Sequence, residues 1–97
     1  MRTKILPPAE ADLMDAVDFY ISEGGSDAAQ GLVEEVRRLA SVLAAWPKLG
    51  RPAGQNARVI PLKHYPFSVV YRIDRGEILI LAVAHHSRAP GFWRRRV

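Results

Sequence analysis

The sequence contains no cysteine, which excludes disulfide staples, thiolate nucleophiles and Cys-based zinc sites; the fold has to be held by packing alone. No apolar run approaches the roughly 18 residues that cross a bilayer, and the opening "MRTKILPPAEAD" has no apolar signal-peptide core. The chain therefore reads as soluble and cytoplasmic, with no membrane partner. Phosphate loops are missing too, because "GGSD" and "GRPAG" lack the spacing and the lysine of a P-loop. Carboxylates are scarce in the second half. Residues 51–97 carry nine Lys and Arg against Asp74 and Glu77, a net of +7, whereas residues 1–50 carry eight acids against five bases, a net of −3. Paired-carboxylate hydrolysis is thus disfavoured, and a basic second half points to an anionic partner, either nucleic acid or an acidic protein.

What is present suits one small globular domain over residues 1–97. The chain is 48% hydrophobic and 25% charged, an ordinary folded composition rather than a disordered one. "RTKIL" reads as a short strand stopped by Pro7 and Pro8, which then open a helix, since proline is tolerated where the N–H has no partner. Leu13, Val17, Tyr20 and Ile21 follow helical spacing, with Asp12, Asp15 and Asp18 off that stripe, until Gly24-Gly25 ends the helix. Ser26 or Asp27 is placed to cap a second helix, Asp27 with Gln30 resembling a capping box. Leu32, Val36, Leu39, Leu43 and Trp46 form its apolar seam, and Pro47 stops it. The expectation is an antiparallel helical hairpin over about residues 8–46.

"WPKLGRPAGQNA" reads as a linker from its Pro, Gly and Asn content. Strand-like segments follow, and the sheet is expected mainly within 57–86. Pro61 cannot donate to a ladder, so "ARVIPLKHYP" should lie near an edge. "FSVVYRID" alternates with a period of two, and "EILILAVA" is apolar on both sides, as an interior strand requires. If Arg75-Gly76 is a two-residue hairpin loop, Asp74 opposes Glu77, Tyr71 opposes Ile80 and Arg72 opposes Leu79. Continued without a break, this register places Phe67, Val69, Tyr71 and Ile73 with Ile78, Ile80, Ala82 and Ala84 under the helices. Ser68, Val70, Arg72, Leu79, Leu81, Val83 and His85 then share the other face, bordered by Lys63, Arg72 and His85. The fold class is α+β: a short N-terminal strand and a helical hairpin on one face of a roughly four-stranded, mainly antiparallel sheet.

Chemistry-bearing residues gather at "HHSRAPGFWRRR". His64, His85 and His86 are the only imidazoles, but neighbours on a strand point to opposite faces and no carboxylate is spaced to join them, so neither a metal nor another cofactor is expected. Phosphodiester cleavage of RNA needs only a base, an acid and cations, and His85, Arg88 and Arg72 are the right types. The basic tail, residues 87–97, offers a different reading. Arg94, Arg95 and Arg96 follow Phe92 and Trp93, a set able to stack on bases, grip phosphates or pair with an acidic peptide; alternatively the two aromatics fold back and close the core.

The order of "PKLGRP", "RVIPL", "VVYRI" and "AHHSRAPGFW" along nearly the whole chain resembles the RelE/ParE superfamily of toxins from bacterial type II toxin–antitoxin systems. The resemblance implies a cytoplasmic toxin held inactive in a hetero-oligomer by a cognate antitoxin. RelE-like members cleave mRNA on the ribosome, whereas ParE-like members poison DNA gyrase. Aligned on Tyr71, positions that are basic in the nuclease branch are Val59, Pro61 and Ser68 here, and the catalytic tyrosine after the last strand falls near Trp93 or Arg94; Arg88 alone matches. The resemblance therefore favours the ParE-like branch and a binding rather than a bond-breaking role. Contacts to target or antitoxin are expected from Lys63, Arg72, Arg88, Phe92, Trp93, Arg94, Arg95 and Arg96. The alternative is a RelE-like ribosome-dependent mRNA endonuclease with His85, His86 and Arg88 as its catalytic group.

Overall fold

The computed structural model describes residues 1–96. Two helices, α1 (Pro7–Ser22) and α2 (Ser26–Ala45), lie on one side of a sheet of five strands: β1 (Arg2–Ile5), β2 (Arg51–Pro52), β3 (Ala57–Pro61), β4 (Phe67–Asp74) and β5 (Glu77–His85). A 3-10 helix, Phe92–Arg96, follows. Strand order is β1-β5-β4-β3-β2, with β1 parallel to β5 and the other pairs antiparallel. The α+β architecture is the one expected, with one more strand: "GRPAG" is not only a linker, because Arg51 and Pro52 pair with Val59 and Arg58. Two residues are too few for a periodic signal.

Both helices start and stop for local reasons. Pro7 and Pro8 occupy the first turn of α1, where they forfeit no hydrogen bond. At its end the Gly25 N–H reaches the Tyr20 carbonyl and the Gly24 N–H that of Ile21, with Gly24 at φ 79°. This is a Schellman closure, and the left-handed residue it requires is glycine. The expected capping box on α2 does not form: Gly25 is the N-cap and no side chain caps it. The seam of α2 buries Leu32, Val36 and Leu43 with Leu39 against them, but Trp46 lies past the last turn and is 68% exposed.

The helices and sheet enclose a core of Leu13, Leu32, Val36, Leu43, Phe67, Val69, Tyr71, Ile78, Ile80 and Val83. The hairpin register is as expected from Asp74↔Glu77 back to Tyr71↔Ile80, and then breaks. Val70 pairs with Ala82, so Leu81 is an extra residue in β5, a bulge that reverses the alternation beyond it. Val83 and His85 therefore belong to the helix side, opposite Val69 and Phe67, while Ala82 and Ala84 join Val70 on the other side. The unbroken alternation predicts the reverse for all four. His85 consequently packs edge-on against Phe67, with ring centroids 5.0 Å apart, and reaches the open face only at the strand's end, where it lines clefts on both sides of the sheet.

That second face has its own smaller core of Ala57, Val70, Leu81, Ala82 and Trp93. The loop that carries β2 is tied down by Tyr71, which is fully buried. Its hydroxyl donates to the Pro47 carbonyl at 2.7 Å and accepts the Gly50 N–H at 2.9 Å. A Cβ at Gly50 would lie 2.8 Å from the Tyr71 ring, so glycine is what lets the loop approach this closely. Tyr71→Phe keeps the ring but strands the Gly50 N–H, and should cost about 1–3 kcal/mol in urea unfolding.

Candidate functional site

The tail is anchored before it is exposed. Trp93 is 5% exposed, packed on the second core. Arg96 forms a two-pronged pair with Asp12 of α1, Nη1 to Oδ2 at 2.6 Å and Nη2 to Oδ1 at 3.2 Å. The same Nη1 donates to the Leu81 carbonyl at 3.0 Å, and Asp12 Oδ2 also accepts the Val83 N–H at 3.0 Å. These groups lie at the bulge, past the last β1–β5 pair at Ile5↔Ile80. An orphaned carbonyl and N–H on the outer edge of β5 are thus satisfied by one ion pair that also ties the chain's last turn to its first helix. Asp12 reads in sequence as an ordinary solvated acid, since only the fold brings residues 84 positions apart into contact.

With Trp93 and Arg96 held in this way, the remaining tail cations are displayed. Arg88 stacks on Phe92, its guanidinium carbon 3.8 Å from the ring centroid, and Arg96 flanks the same ring at 5.1 Å. Arg94 and Arg95 are exposed. Gly91, at φ 76°, leaves room for the Arg94 side chain, whose Nε would stand 3.0 Å from a Cβ placed there.

Arg88 and Arg94 line a cleft of about 370 Å³ on the sheet face opposite the helices, with Arg51, Ser68, His85 and His86. Its floor is Val59, Val70, Ala84 and Trp93. His86 Nε2 is 3.0 Å from Ser68 Oγ. His85 Nδ1 accepts the Ser87 N–H at 3.0 Å and the Ser87 hydroxyl at 2.7 Å, so the neutral ring carries its proton on Nε2. The structure thus brings His85, His86 and Arg88 to one cleft. On the helix side of the last strand, His85 and Arg88 also line a second cleft, of about 280 Å³, where Asp12 and Asp15 supply negative charge.

Two other sequence candidates lie elsewhere. Arg72 is half-buried, 3.7 Å from Asp74, with a buried Nε that has no hydrogen-bond partner among the described residues. Lys63 is exposed in a turn on the α2 side, where it lines a groove with Arg38, Leu39 and His64. That turn is held by Glu35, whose carboxylate accepts the N–H groups of Lys63 at 2.6 Å and His64 at 3.3 Å and meets His64 Nδ1 at 2.9 Å. Burial pushes the Glu35 carboxyl up, but the hydrogen bonds from His64 and the two backbone groups outweigh it and hold it below its ordinary value. Sequence reading missed Arg51, Ser68, Asp12 and Glu35. Arg51 had a signal, its place in "PKLGRP", but its contribution depends on the two-residue strand.

Among the described residues no helix is long and apolar enough to cross a membrane, and no three His, Cys, Asp or Glu side chains gather as a metal site.

The family model described as "ParE toxin of type II toxin-antitoxin system, parDE" matches residues 3–90. A solved structure titled "Chromosomal ParDE TA system from P. aeruginosa" contains a chain with 30% sequence identity and a TM-score of 0.77, the match covering 88% of this chain and 95% of that one. No curated protein sequence matches.

Two outcomes follow from this geometry. Asp12→Ala should cost about 2–3 kcal/mol, because it leaves Arg96 and the Val83 N–H unpaired; in a Trp46→Phe background the emission of Trp93 should shift to the red as the tail loosens. Because the folded Glu35 carboxyl titrates below its unfolded value, its contribution is present above an unfolded pKa of about 4.3. It is lost as pH falls through the lower folded value, so Glu35→Gln should flatten that part of a stability-versus-pH curve.

Proposed function

The chain belongs to the ParE toxin family of type II toxin–antitoxin systems, and from that premise we propose that it arrests growth by binding a protein target, DNA gyrase, and is neutralised by a cognate antitoxin. Residues 1–97 act as one cytoplasmic toxin domain in a hetero-oligomer with that antitoxin. The observation that carries the reading is the split role of the tail. Trp93 and Arg96 fix it to the body, while Arg88, Arg94 and Arg95 are exposed, and among the described residues no carboxylate pairs with any of the three. A rigid mount for unpaired cations is how a protein grips an acidic or nucleic-acid-bearing partner with little ordering cost. Val59, Pro61 and Ser68, the positions where the nuclease branch carries basic groups, offer none.

One observation supports a second reading. His85, His86 and Arg88 line a single cleft, which is the set that a ribosome-dependent mRNA endonuclease would need. Against it, Nδ1 of His85 accepts from Ser87, so that ring's lone pair is already engaged, and His86 is tied through Nε2 to Ser68.

Purified toxin mixed with gyrase and plasmid should accumulate cleaved DNA complexes, and Arg94→Ala with Arg95→Ala should weaken this about tenfold or more, a loss of two charge-assisted contacts. Normal supercoiling at high toxin excess would overturn the gyrase reading. Primer extension on ribosome-bound message, showing induced cuts that vanish in Arg88→Ala, would establish the second reading in its place.

A further inference from the structure

We infer that the cleft beneath the tail is a phosphate site that takes the phosphodiester backbone of a nucleic acid, holding it without regard to base sequence. The inference goes beyond the gyrase reading and does not depend on it.

Charge comes first. Arg51, Arg88, Arg94 and His86 converge on this cleft, and no Asp or Glu lines it. The neighbouring cleft on the helix side contains Asp12 and Asp15, and the α2–β3 groove contains Glu35. In a protein with ten acids, a concave site that gathers three arginines and no Asp or Glu focuses positive potential on whatever enters it. The cations come from separate elements: Arg51 from β2, His86 and Arg88 from the turn after β5, and Arg94 from the 3-10 helix.

Shape and hydrogen bonding narrow the ligand. A volume of about 370 Å³ admits a nucleotide-sized group. Phe92 lies under the Arg88 guanidinium, whose central carbon is 3.8 Å from the ring centroid; this contact restrains the fork while its N–H groups remain available to an anion. Ser68 and His86, 3.0 Å apart, offer further polar contacts at the wall. This is the donor set that phosphate oxygens require.

The aromatic rings decide against base recognition. Trp93 is buried beneath the cleft at 5% exposure, and Phe92 is occupied by Arg88 at 3.8 Å and Arg96 at 5.1 Å. Stacking platforms for bases need a bare ring face, and the tail's aromatics are spent on packing and on cations. The contact is therefore to backbone phosphate, with the salt dependence that such contacts carry.

The test titrates the full isotope-labelled chain with a short single-stranded DNA of mixed sequence, following the signals of Ser68 and His86. Both should shift, with little change on scrambling the sequence. Affinity should fall about tenfold to twentyfold on raising salt about fourfold, and Arg88→Ala or Arg94→Ala should each lower the slope of log affinity against log salt by about 0.7–1. Arg37→Ala, on the exposed face of α2, should leave both unchanged, and circular dichroism checks that every variant is folded. Unmoved Ser68 and His86 signals would overturn the inference. So would equal binding of polyglutamate, which would make this an acidic-protein site, or inorganic phosphate binding as tightly as the oligonucleotide, which would make it a site for free phosphate. No gyrase is present, so a negative result here leaves the gyrase assay to stand or fall separately.

Discussion

The pair between Arg96 and Asp12 is the constraint on which the rest of this structure depends. β1 is short and leaves the outer edge of β5 without a strand neighbour past Ile80, just where the Leu81 bulge disturbs the strand. An open carbonyl and N–H there would otherwise face a half-buried edge, a costly arrangement. Asp12 and Arg96 satisfy both and one another. The same bond sets the direction of the final turn, which in turn seats Trp93 and leaves Arg94 and Arg95 outside. A single charge-assisted cluster therefore closes the sheet edge and mounts the functional cations.

The bulge has an equally wide effect. An extra residue in β5 moves Val83 and His85 to the helix side and Ala82 and Ala84 to the other. Small alanines on the tail side leave space for a tryptophan to cover the sheet, so a face that would be open in an unbroken register acquires a core of its own. Trp93, with Val59, Val70 and Ala84, then lines the cleft to which Arg51 and Arg94 contribute their charge.

Much of the fold was legible from local patterns. Pro7-Pro8, the Gly24-Gly25 stop, the seam of α2 and the Arg75-Gly76 turn each act within a few residues, and each is found where sequence periodicity places it. Trp46 continues the α2 spacing yet lies outside the core, because the helix ends at Ala45 and spacing has no meaning beyond its last turn. The capping box failed for a related reason: the Schellman glycines hold the chain so that Gly25 takes the cap position. β2 escaped notice since two residues carry no period. Of the site, the residue types and their order at 85–96 were visible; which of them pack, pair or remain free was not.

The sequence by itself determined the element order, the helical and strand faces up to the bulge, the segregation of acids into the first half and bases into the second, and the family to which the motifs point. These are local or compositional properties, set by backbone preference and by counting. Only the tertiary structure decided that Asp12 meets Arg96, that Trp93 is buried while Arg94 is not, and that Arg51 joins Arg88 across the sheet face. Such contacts span tens of residues and arise from how a bulge and a short edge strand shape the space between elements, which no single stretch of chain encodes.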